Sequence, residues 1–152
     1  MRPLFLLLAA ACATSGGGSS GTIAIKSGAN AAARPVSYSV GKGAISGTDV
    51  DARIDKGCVR GTIRGTPIQF CNDVANPNRW VGGSGDFIAI ASPDGKSVSV
   101  DGYLTLDAGR QIGMTQVIPV GDGPQWEELR RNPALLAIAA TAADLQAAHI
   151  RR

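Results

Sequence analysis

Apolar residues recur at every second position along most of this chain, from Thr22 to about Val120. Ile23 and Ile25 are spaced this way, as are Val36, Tyr38 and Val40, and then Val50, Ala52 and Ile54. Val98, Val100, Leu104 and Leu106 fall on one side of a long segment, with Ser97, Ser99, Asp101, Tyr103 and Thr105 on the other. Ile112, Met114 and Ile118 continue the series. A period of two predicts strands with one buried face, and one buried face points to antiparallel pairing. Phe87 to Ala91 is apolar on both faces and is expected to be the most buried strand. Pro93-Asp94-Gly95 and Asp107-Ala108-Gly109 read as tight turns between neighbouring strands. The count comes to about eight strands. Residues 73–86 carry no period and many turn formers, so they read as the longest loop, where binding groups concentrate.

The pattern changes at Gly121. Asp122-Gly123-Pro124 reads as a helix start, with Glu127 and Glu128 in the first turn. Asn132-Pro133 interrupts and restarts the helix, with Asn132 as its cap. Leu135, Ile138, Ala142, Leu145 and His149 then fall on one stripe, and much of the rest is alanine. Arg151 and Arg152 suit a helix C-terminus. The expected fold is therefore mainly β: an antiparallel barrel or sandwich of about eight strands, with helices over about residues 122–152. The strand count and terminal helix resemble lipocalin-type barrels, without that family's Gly-x-Trp signature, so the likeness is one of architecture alone.

Cys58 and Cys71 bracket a hairpin. With the turn centred on Arg64-Gly65, Val59 faces Phe70 and Gly61 faces Ile68 on one side. Arg60 then faces Gln69 and Cys58 faces Cys71 on the other, so one register gives both an apolar face and a cross-strand disulfide. The alternative is a pair of free thiols in a catalytic or metal site. No Cys-x-x-Cys spacing and no nearby histidine accompany them.

The N-terminus reads as an address. Leu4 to Ala11 is an unbroken apolar run of eight residues, well short of the ~20 that span a bilayer but in the range of a secretory signal. Cys12 follows at once, and then a Gly/Ser-rich stretch to Gly21. Leu8, Ala9, Ala10, Ala11 and Cys12 resemble the lipobox of bacterial lipoproteins. The resemblance implies a signal peptide at 1–11, cleavage before Cys12, acylation of Cys12, and a tether at 12–21 ahead of a single domain at 22–152. It also implies sorting to the outer rather than the inner membrane, because Ala13 and not an aspartate follows the cysteine. More than one acyl chain gives lasting attachment, and a Gly/Ser tether lets a domain stand off the bilayer.

The 152-residue chain has the length of one domain, and its 44% hydrophobic content excludes wholesale disorder. A formal charge of +3 falls to +2 if Arg2 leaves with a signal peptide, too little to imply nucleic acid, and aromatic residues are not interleaved with clustered Lys/Arg. One histidine, His149, leaves no obvious base for a nucleophilic triad, and Gly83-Ser84-Gly85-Asp86 lacks the nucleophile-elbow spacing. Asp49, Asp51 and Asp55 form either a loose calcium site or, better, a solvated strand face. Nothing points to a metal or another cofactor. Trp80, beside Arg79 in the 73–86 region, is either an exposed recognition residue or a core plug, and Trp126, in an early helix turn, is expected to be a core anchor. The candidate binding residues are Arg79, Trp80, Ser84 and Asp86.

These readings favour a non-enzymatic lipoprotein of the bacterial envelope. Its partners would be the bilayer, through acylated Cys12, and another envelope protein or a glycan. The alternatives are a carrier of a small apolar ligand in a barrel cavity, and an inhibitor-type protein or small hydrolase using residues 73–86. A carrier needs an open interior; a hydrolase needs a cleft of convergent polar groups.

Overall fold

The computed structural model describes residues 21–28, 33–106 and 109–149. The signal-like segment, Cys12 and the tether up to residue 20 lie outside the described residues, as do Asp107, Ala108, the side chain of His149, Arg151 and Arg152. Among the described residues eleven strands form one antiparallel sheet: β1 (Gly21–Ile25), β2 (Val36–Gly41), β3 (Ala44–Ser46), β4 (Val50–Asp55), β5 (Cys58–Ile63), β6 (Thr66–Asp73), β7 (Asn76–Gly82), β8 (Gly85–Ala91), β9 (Ser97–Leu106), β10 (Arg110–Gly113) and β11 (Gln116–Pro119). Two helices follow, α1 (Pro124–Arg131) and α2 (Pro133–His149).

Each strand pairs with the next through β10, and β11 returns beside the first half of β9. β10 and β11 share one edge of β9 and are parted by Met114 and Thr115. The alternation predicted for β9 holds, with Val98, Val100, Leu104 and Leu106 buried. Gly102 occupies the inward position between them at φ +140°, where an added Cβ would strike the Asp86 carbonyl oxygen and Phe87. Only glycine lets β8 and β9 approach this closely. Among the described residues the sheet is not closed into a barrel by backbone pairing: β1 is one edge and β10 with β11 the other.

Three strands exceed the sequence expectation, and β7 is the instructive one. The segment expected to be a loop forms a strand with a tight turn on either side. Its alternation fails because the ladder with β6 slips: Asn72 pairs with Trp80, but Asp73 pairs with Asn76. Pro77, Asn78 and Arg79 are thus extra residues, a wide irregularity that hides the period. The Asn72 side-chain amide donates to the carbonyls of Pro77 (2.6 Å) and Arg79 (3.2 Å), replacing the missing ladder bonds. β8 also departs from expectation. Phe87 and Ala89 are core, but Ile88 is half-buried and Ile90 is 45% exposed on the outer face.

α2 explains what the sheet encloses. It packs on β1, β3, β4, β5, β8 and β9, so the sheet curves around the helix. Ten consecutive residues, Ala134 to Ala143, are no more than 2% exposed. A helix that is apolar all round must be covered all round. The single expected stripe was too narrow because alanine adds no polar face where the stripe should end. Its small side chains bring the helix backbone close to the sheet, and the Tyr38 hydroxyl donates to the Ala139 carbonyl at 3.1 Å. Burial, with Asp49 and Asp144 nearby, pushes the Tyr38 pKa up, so it stays a neutral donor. Between the sheet edges, Asp144 of α2 accepts hydrogen bonds from Ser27 Oγ (2.7 Å) and Gln116 Nε2 (3.1 Å).

Asn132 separates the helices as expected but caps differently. Its side chain donates to the Glu128 carbonyl and carboxylate, so it closes the end of α1. Glu128 also accepts the Gly43 backbone N–H at 2.8 Å, tying α1 to the β2–β3 turn. That N–H, with Arg131 and Asn132, holds the Glu128 carboxyl below the usual glutamate range. A carboxylate with a depressed pKa stabilises the fold above its unfolded-state value and loses that contribution as pH falls through its folded value. Glu128→Gln is expected to cost about 1.5–3 kcal/mol at pH 7, the range for hydrogen bonds to charged groups. Urea melts of both proteins at falling pH should show the gap close in acid; a constant gap contradicts the assignment.

Candidate functional site

The hairpins β6–β7 and β7–β8 place the four candidate residues in three different settings. Arg79 and Asp86 lie on the outer face, brought together because Arg79 pairs with Ile88 and Val81 with Asp86 across β7 and β8. The guanidinium grips Asp86 at both oxygens, Nε to Oδ1 at 2.9 Å and Nη2 to Oδ2 at 2.6 Å. Its remaining arm reaches Asp73 Oδ2 at 3.2 Å. The hydrogen bonds from Arg79 hold the Asp86 carboxyl below the ordinary aspartate value, and the Arg79 pKa is pushed up in turn. A carboxylate kept ionised this way is a poor general acid or base near neutrality. Arg79 is 40% exposed, and its donors are largely committed within the triad.

Trp80 points the other way. It is core, as the plug reading expected, and also lines a groove. That groove, about 320 Å³, lies between β7–β8 and the α1–α2 corner, with Asn78, Ile90, Arg131 and Pro133 among its walls. Trp126, expected to be a core anchor, is partly buried and packs against the core. Ser84 sits in the β7–β8 turn and is buried. Its Oγ accepts the Gln69 N–H at 2.9 Å, and its carbonyl accepts the Thr105 N–H at 2.7 Å. It is a strut between strands, and no base faces its hydroxyl among its hydrogen-bond partners.

The disulfide joins Cys58 and Cys71 in the register expected from the hairpin, with Val59 opposite Phe70 and Arg60 opposite Gln69. The turn residues Arg64 and Gly65 both have positive φ, +52° and +80°, as a two-residue hairpin turn requires. The Asn72 N–H donates to the Gly57 carbonyl, so the cysteines occupy a non-hydrogen-bonded pair, the closer kind, with Cα atoms 4.0 Å apart.

Asp51 and Asp55 lie on the exposed face of β4, on either side of Arg53, with Arg60 opposite Arg53. This is a mixed-charge solvated face. Among the described residues no group of three or more metal-ligating side chains gathers, and no helix is long and apolar enough to cross a membrane. Sequence reasoning did not single out Asn72 or Asp73, and it placed Glu128 only in the first turn of a helix, with no partner. Asn72 and Asp73 follow Cys71 without a motif, and Glu128 acts on a residue 85 positions away. No protein-family model, no curated protein and no solved structure matches this chain.

Proposed function

We propose that the protein is a lipid-anchored component of the bacterial envelope, held through Cys12 and sorted to the outer membrane, which binds or scaffolds another envelope component without catalysing a reaction. The observation that carries this reading is the lipobox-like Leu8–Cys12 followed by a Gly/Ser stretch that ends where β1 begins. The domain it leads to weighs on the same side. α2 packs inside the curve of the sheet and is buried on all sides over Ala134 to Ala143, which weighs against the carrier reading. Arg79, Asp73 and Asp86 satisfy one another, which argues against a hydrolytic cleft at residues 73–86. We read the curved sheet as an open barrel plugged by α2 rather than a sandwich, since every described strand belongs to one sheet.

The experiment is acyl labelling in a bacterial host. Wild type should take up a tagged fatty acid and fractionate with membranes. Cys12→Ala should take up none and lose the membrane fraction. Equal labelling of the two, or none in either, sinks the anchoring reading.

A further inference from the structure

The two ends of the sheet differ in what they present. Antiparallel order puts Gly21, α1 and the turns 42–43, 56–57, 74–75 and 92–96 at one end. Contacts tie this end together. Gly43 N–H donates to Glu128, Arg130 Nε donates to the Gly95 carbonyl at 2.7 Å, and Val120 N–H donates to the Lys96 carbonyl at 2.9 Å. Gln125 of α1 lies against Gly21.

Three of the four lysines, Lys42, Lys56 and Lys96, stand exposed on these turns, while Lys26 follows β1 at its other end. Val74, at the tip of the β6–β7 turn, is fully exposed. A solvent-facing turn is served better by Asn, Asp or Gly than by a β-branched aliphatic residue. Carboxylates stand here too, Asp55 and Asp94 beside the paired Asp73, Asp122, Glu127 and Glu128, so net charge does not draw this end to an anionic surface.

The chain outside the structure supplies the rest. Eight residues separate Cys12 from Gly21. Fully extended they reach about 30 Å, and as a flexible coil about 17 Å. A ten-residue strand such as β9 spans roughly 33 Å, so an anchor at Cys12 keeps the end that carries Gly21 within the tether's reach of the bilayer, while the opposite end lies a strand length from the attachment point. We propose that this end of the domain rests on the lipid surface, with Val74 among the headgroups and Lys42, Lys56 and Lys96 at the interface. Lysine suits that position because its stem tolerates apolar surroundings while its ammonium stays wet. The inference rests on the anchoring reading.

The test uses the acylated full chain added to preformed phosphatidylcholine vesicles and treated with a membrane-impermeant amine reagent. Peptide mass spectrometry then reads each lysine, with soluble Cys12→Ala protein as the reference. Relative to Lys26, the other three lysines should label severalfold less on vesicles than in solution, and Val74→Asp should remove that protection. The same ratios bound and free, or a protected Lys26, overturn the proposal. Protection that survives Val74→Asp overturns the Val74 contact. Intact mass of the same sample separates the causes. Without an acyl chain the anchoring reading fails and the proposal falls with it; an acylated protein with uniform labelling defeats the proposal alone.

Discussion

Leu136→Ala is expected to lower folding stability by about 2–5 kcal/mol, the cost of a large-to-small change in a site that cannot collapse. That is a large part of the roughly 5–15 kcal/mol that holds a domain of this size together. Leu136 is fully buried, as are Leu135 and Ile138 on other sides of the same helix. The sharper test of enclosure is the alanines. Ala139, Ala142 and Ala143 share one face of α2 and Ala137 lies on the opposite one, yet each is fully buried. Leucine at any of them should overpack the interior and cost about 1–3 kcal/mol. A helix lying on one face of a sheet would instead tolerate leucine on its outer side within about 0.5 kcal/mol. Urea melts of the four variants decide between these outcomes, and two neutral variants on one side contradict the enclosed helix.

The second large effect is at the disulfide. Cys58 and Cys71 close a loop of about 14 residues, for which the chain-entropy account gives about 3 kcal/mol. Cys58→Ala combined with Cys71→Ala should lower the urea midpoint by that amount, and reductant should do the same to wild type. The hairpin should survive at its present register, because the Arg64-Gly65 turn and the Val59–Phe70 pair fix it independently. Wild type that ignores reductant contradicts the contribution assigned to the bond.

The disulfide hairpin was legible in the sequence because one short turn determines every pair beyond it. Period two was equally plain in β9, where Val98 to Leu106 alternate around Gly102. β7 was not legible. Its three extra residues break the period, and the Asn72 amide that holds them belongs to another strand. The outward turn of Ile88 and Ile90 was hidden for a different reason: an apolar residue on a strand reads as buried whichever way it faces. α2 was legible as a helix but not as the centre of the fold, since alanine marks neither a core face nor a solvent face. At the candidate site, the Arg79–Asp86 pair depends on the β7–β8 register, which a segment without a period does not reveal. Glu128 illustrates the remaining limit, because the amide it receives lies on a turn far earlier in the chain.

The most direct test of a lipid-anchored domain is the intact mass of the mature protein isolated from bacterial membranes. The account predicts a chain that begins at Cys12, carries the added mass of two or three acyl chains, and retains the closed Cys58–Cys71 bond. A chain that begins at another residue and carries no added mass contradicts it.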